Sequence, residues 1–200
     1  MILTDKISKK TISFIRNTLS TSEEDLEIID YGIKVIVSNF FKIVILFVTA
    51  YLLGIFKYTL LALCSFAFLR TFACGVHANS TFQCIIMNFI LFIGNVYTSI
   101  FHPLNNKLLF LFFLISIIIL MLYAPADTAE RPLISKSLRK SLKIISLISA
   151  IILFIICHFI NNSICQTIII YSMLLESLSV MPLFYKLLGK SYRNYSKITL

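Results

Sequence analysis

His77 and Cys84 stand seven residues apart, where the polar segment RTFACGVHANST (70–81) gives way to an apolar run. Cysteine chemistry needs a thiolate, a base to form it and an opening for substrate. Ser80 followed by Gln83 has the pattern of a capping box and predicts a helix start at Ser80. Cys84 then falls in the first turn, where the positive end of the helix dipole favours a thiolate. Arg70, if folded close, adds to that field. On one unbroken helix a seven-residue offset separates the two Cα atoms by about 10.5 Å, too far for a hydrogen bond. A break at Gly75, Asn79 or Ser80 lets His77 fold back over Cys84. Its imidazole is suited to take the thiol proton and return it to a leaving amine. These residues alone leave a second reading open, a core cysteine beside a solvated histidine.

Other candidates are weaker. His102 adjoins Pro103 in a turn, and His158 follows Cys157 at a span end. Cys64, Cys157 and Cys165 read as packing residues in apolar stretches. Five cysteines without a CxxC pair or zinc-ligand spacing point to neither a disulfide framework nor a metal site. No nucleotide or cofactor motif is present. Glu176 is a carboxylate inside an apolar segment, a position that suggests function. It is suited to orient an imidazole, pair with a cation, or face a polar cleft that binds substrate. Gln166 and Asn88 are placed to hydrogen-bond between helices.

The elements that hold these residues are membrane helices. The 200-residue chain is 58% hydrophobic and only 14% charged, with a mean hydropathy of +0.92. Leu108–Tyr123 and Ile144–Cys157 carry no charge. So small a soluble domain would lack polar residues to cover its surface, whereas hydrocarbon demands none. The net charge of +9 sits between spans, where orientation charges belong, and not on a nucleic-acid-binding face. The expected fold is an all-α polytopic bundle forming one domain over residues 1–200, with no removable secretory signal. Residues 1–34 form an interfacial region that opens with an amphipathic basic helix. Its apolar positions are Ile2, Leu3, Ile7, Phe14, Ile15 and Leu19. A second helix starts near Ser22 and runs into a span at about 35–56, in which Lys42 snorkels to the interface. The run 58–69, ended by Arg70, is short for a span and reads as a short or re-entrant segment. Further spans fall near 82–101, 108–124, 144–160 and 164–181. A basic loop at 125–143 holds Arg131, Lys136, Arg139, Lys140 and Lys143 against Asp127 and Glu130. The basic tail at 182–200 holds Lys186, Lys190, Arg193 and Lys197. The charge bias places both termini, the basic loop and the 70–81 segment in the cytoplasm, with about six membrane segments.

Two motifs carry a resemblance. Residues 70–77, RTFACGVH, followed by Cys84, resemble the signature of accessory gene regulator protein B (AgrB), membrane peptidases of Gram-positive quorum sensing. In that family an Arg precedes Gly-Gly-x-His, and a Cys stands seven residues after the His. YAPADTAERP (123–132) is similar to the family's Tyr-Ala-Pro…Arg-Pro element opening a basic loop. Where the family has Gly-Gly, this chain has Cys74-Gly75. The resemblance implies a multi-pass protein of the cell membrane, working as a homodimer on a small AgrD-type precursor peptide. It implies that Cys84 attacks the scissile carbonyl, with His77 as base and then acid. An acyl-enzyme thioester then closes to a thiolactone or lactone ring, with no cofactor. Arg70, Gly75, Ser80 and Gln83 would support the site. Lys136, Arg139, Lys140 and Glu176 would bind an amphipathic, acidic substrate. The competing readings are a small-peptide or lipid transporter without proteolysis, in which Cys84→Ala is silent, and a scaffold that needs neither residue. A quinone-linked thiol oxidase lacks the paired cysteines it would require.

Overall fold

Helices dominate because apolar runs in a bilayer must satisfy their backbone groups internally. The structure is a computed structural model. It describes residues 2–18, 22–78, 80–129 and 132–198, with backbone alone at 2–4, 17–18 and 197–198. Asn79, Arg131 and the side chains of Ile2, Leu3, Leu19, Glu130 and Lys197 therefore lie outside the described residues. The chain divides into two compact units, Met1–Thr49 and Ala50–Leu200.

In the first unit, α1 (Ile2–Thr18) is the expected basic amphipathic helix. Ser22 starts α2 (Glu23–Leu52), its hydroxyl accepting from the Asp25 N–H at 3.2 Å. At 30 residues α2 is about 45 Å long, more than one bilayer crossing needs. The Ser8 hydroxyl donates to the Asp30 carboxylate, which also accepts from Lys34 at 2.6 Å. Arg16 pairs with Glu23 at 2.7 Å.

The second unit is built around α8 (Ser163–Ser179), which packs against α3, α5, α6 and α7. Those neighbours are α3 (Phe56–Ala73), α5 (Asn95–Phe101), α6 (Asn106–Tyr123) and α7 (Lys136–Phe159). Ile168, Ile169, Ile170 and Met173 of α8 are all buried, as expected of a helix enclosed on every side. Buried Ser65, Ser116, Ser146, Ser149, Ser172 and Ser177 let neighbouring backbones approach closely. Asn95 donates to the Ile168 carbonyl at 3.3 Å and to Ser172 at 2.9 Å. Gln166 bridges, as expected, to the Cys157 and Ile160 carbonyls at 3.3 and 2.9 Å. Asn88 instead borders a cavity. Among the described residues, five helices have the length and hydropathy of membrane spans, and α8 is a shorter apolar one.

Three expectations change. The helix that carries 58–69 is longer than its apolar run: α3 has 18 residues, about 27 Å, and runs through Arg70. Arg70 does not stop the helix because Glu176 and Ser179 receive its guanidinium. The basic loop is shorter than 125–143, because α7 begins at Lys136, capped by Ser135, whose hydroxyl accepts from the Leu138 N–H at 3.3 Å. Lys and Arg are good helix formers, so the cationic stretch joins the helix instead of the loop. Finally, the span at 81–101 is α4 (Thr81–Asn88), a π-helical stretch (Phe89–Gly94) and α5 in continuous succession. In the tail, two short helices occur, α9 (Pro182–Leu187) and α10 (Tyr195–Ile198).

Candidate active site

The site begins where α3 ends. Beyond Ala73 the backbone turns sharply, with Cys74 at φ 61° and Gly75 at φ 125°. Both values lie in the half of conformational space that favours glycine. A Cβ at Gly75 would also come within 2.5 Å of Ser179 Oγ and 2.6 Å of Arg70 Nη1, so only glycine fits. Residues 73–76 are then tied down from three directions. The Gly75 N–H donates to the Ala126 carbonyl at 3.0 Å, and the Ala126 N–H donates to the Ala73 carbonyl at 3.0 Å. The Val76 N–H donates to the Ser179 carbonyl at 3.3 Å. Arg70 Nη2 donates to the carbonyls of Gly75 and Val76 at 3.1 and 2.5 Å. His77 follows directly and is exposed.

Arg70 is the organiser of this segment. Its Nη1 donates to Glu176 Oε2 at 3.1 Å and to Ser179 Oγ at 2.7 Å, and its guanidinium lies 5.8 Å from the Phe66 ring centroid. Glu176 is fully buried. Of the three roles open to it, the structure gives it the cation partner. It has no surface to offer a substrate. Arg70 was expected to act on Cys84 by charge; its Nη1 and Nη2 donate to Glu176, Ser179 and two carbonyls, and it borders the same cavity as Cys84.

The second half of the site is the start of α4. Ser80 has the extended backbone of an N-cap, φ −136° and ψ 158°, and its hydroxyl accepts from the Gln83 N–H at 3.2 Å. The Cys84 N–H donates to the Ser80 carbonyl at 2.9 Å, closing the first turn. Cys84 is half-buried there, next to the orphan N–H groups of the helix start.

His77 and Cys84 both border one cavity of about 250 Å³. Arg70, Asn88 and Ser179 supply its polar wall, and Phe66, Met87, Leu91, Leu178 and Phe184 much of its apolar wall. A peptide with a large apolar side chain could seat that side chain beside the thiol. On its other side His77 borders a second cavity of about 260 Å³, shared with Cys74, Gly75, Asp127 and Thr128.

Lys136, Arg139 and Lys140 lie elsewhere, on a cleft of about 700 Å³. Ser137, Lys143, Tyr123, Tyr192, Arg193 and Tyr195 complete its polar lining. Arg139 is held in place: it donates to the Leu133 and Ile134 carbonyls at 2.5 and 2.8 Å and stacks 4.0 Å from the Tyr195 ring. The sequence reading missed Asp127, counting it only as an acid among cations. It is buried and holds the C-terminal tail through backbone N–H groups. It also missed Tyr185, buried below it, whose hydroxyl donates to the Asp127 carbonyl at 2.9 Å. Burial pushes the Tyr185 phenol well above its ordinary range, so it stays a neutral donor. Cys157 is buried against Gln166, and its thiol donates to that residue's carbonyl at 3.6 Å.

Comparison with known proteins places these residues in a family context. The sequence pattern of accessory gene regulator B matches residues 7–180. A putative AgrB-like protein of Clostridium acetobutylicum is 35% identical over 164 residues, 82% of this chain and 78% of that protein. A putative AgrB-like protein of Listeria monocytogenes is 32% identical over 175 residues, 88% of this chain and 86% of that protein. Accessory gene regulator protein B of Staphylococcus intermedius is 30% identical over 184 residues, 92% and 97% of the two chains. No solved structure matches.

Proposed function

Because this chain belongs to the accessory gene regulator B family of agr quorum sensing, we propose that it is a membrane cysteine endopeptidase that cuts and cyclises a small AgrD-type precursor. One observation carries the reading within the family: His77 and Cys84 border the same cavity, with Cys84 on a capped helix start. His77 takes the Cys84 proton and the thiolate attacks the scissile carbonyl. The tetrahedral adduct collapses to a thioester, and the imidazolium returns its proton to the departing amine. A cysteine or serine side chain within the acyl peptide then attacks the thioester. Cys84 leaves as a thiol, and the product is a thiolactone or lactone ring. The thioester conserves the acyl activation, so ring closure needs no ATP. The apolar wall of the cavity keeps water from competing.

In this reading Lys136, Arg139 and Lys140 hold the acidic part of the precursor at the membrane surface, and two copies of the chain work as a dimer. The site, the basic cleft and both termini face the cytoplasm of a Gram-positive cell. The test is processing in proteoliposomes with the partner peptide, followed by mass spectrometry. Wild type is expected to release a C-terminal fragment and a dehydrated, cyclised N-terminal part. Cys84→Ala and His77→Ala are each expected to abolish both products. Unimpaired processing by Cys84→Ala would refute the mechanism, and peptide crossing the bilayer uncut would favour a transporter.

A further inference from the structure

Asp127 is 3% exposed. A carboxylate withdrawn from water is costly unless its oxygens find donors. Here both do: Oδ1 accepts from the Asn194 N–H at 2.9 Å and Oδ2 from the Tyr195 N–H at 2.7 Å. The Asp127 carbonyl is taken by Tyr185. The adjacent Ala126 exchanges two backbone hydrogen bonds with Ala73 and Gly75, the residues that lead into His77. A continuous path therefore runs from the tail to the base: Tyr195 to Asp127 by hydrogen bond, Asp127 to Ala126 along the chain, Ala126 to Gly75 by hydrogen bond, and Gly75 through Val76 to His77 along the chain. The same groups meet around the second cavity, where Asp127 and Thr128 face Cys74, Gly75 and His77.

His77 stands in irregular backbone between α3 and α4, without a helix to fix it. Catalytic pairs lose rate steeply when one member drifts by as little as an ångström. We infer that Asp127 is a positioning residue: by clasping the backbone of the C-terminal tail, it anchors segment 74–77 and aims His77 at the Cys84 cavity. The tail is thereby a structural part of the site. The inference rests on the Cys84–His77 reading above.

The experiment is steady-state processing of the precursor by the full-length chain in proteoliposomes. Asp127→Ala is expected to lower kcat about 10-fold to 100-fold with little change in KM. Asp127→Asn keeps one acceptor oxygen but turns an N–H donor toward Tyr195, so its kcat should fall between the two. Tyr195 is the first residue of α10, a position where proline fits and removes only the N–H. Tyr195→Pro should therefore show a kcat about 10-fold below that of Tyr195→Ala, which keeps the N–H and loses the same ring. In an Asp127→Ala background that difference should vanish, as a shared link requires. An undiminished kcat in Asp127→Ala, or a Pro-to-Ala difference that persists without Asp127, would overturn the inference. Should Cys84→Ala be inactive while Asp127→Ala matches wild type, the positioning role alone fails. Should Cys84→Ala stay active, the dyad fails first.

Discussion

Position 74 carries a side chain where the backbone favours none. Cys74 adopts φ 61° and ψ −140°, a conformation that costs a non-glycine residue about 1–3 kcal/mol. The resemblance drawn from sequence had glycine at this place, and the backbone supplies the reason. Cys74→Gly is expected to raise the thermal midpoint of the detergent-solubilised protein while leaving processing intact. Loss of processing in that variant would make Cys74, and not Cys84, the thiol to pursue. At this scale the sequence was partly legible. Ser80, Gln83 and Cys84 announced their helix start, because a cap is a local device. Asp127 announced nothing, because its partners are two backbone N–H groups 67 and 68 residues away. Arg70 and Glu176 were each visible as odd charges, but no spacing rule joins residues 106 apart.

Among the elements, α4 decides how firmly the thiol is held. It is an eight-residue helix that continues into a π-helical stretch, so its N-terminal cap bears on a short lever. Removing the cap in Ser80→Ala should weaken the first turn by about 1 kcal/mol. Amide exchange over residues 81–84 should then rise about five-fold, with a several-fold slower turnover. Unchanged exchange would mean that the turn is held by tertiary packing instead. Hydropathy located the apolar centre of each long helix, since uncharged runs leave few alternatives. It failed at both ends that carry cations, Arg70 and Lys136. A charge was read as a stop, whereas Arg70 has a buried acceptor and Lys136 belongs to a capped helix. The π-helical stretch left no trace in the apolar pattern, because its residues, FILFIG, are as suited to an α-helical span.

Across the second unit, successive connections separate by side. Residues 74–76, 126–127, 179 and 194–195 are joined to one another by hydrogen bonds. Leu104, in the connection between α5 and α6, donates its N–H at 2.9 Å to Thr167 near the start of α8. Alternation of this kind fits a multi-pass chain, and the proposed orientation, with the site toward the cytoplasm, rests on the charge bias. A cysteine placed at Ser137, in a background whose native cysteines are alanine, should react with an impermeant maleimide only after the cells are permeabilised. One placed at Lys107 should react on intact cells. The reverse pattern would invert the topology and put the site outside.

The Arg70–Glu176 pair also sets a schedule. Arg70 is synthesised 106 residues ahead of the Glu176 carboxylate that receives it. At about 5–20 residues per second, the guanidinium waits roughly 5–20 s for its partner to leave the ribosome. During that interval α3 holds an unneutralised cation in its last turn, where the long side chain can stay at the headgroups. Only when α8 enters can Nη1 of Arg70 find Glu176 and Ser179. Nascent chains halted before Glu176 therefore lack the ion pair that holds Arg70 beside the His77 segment.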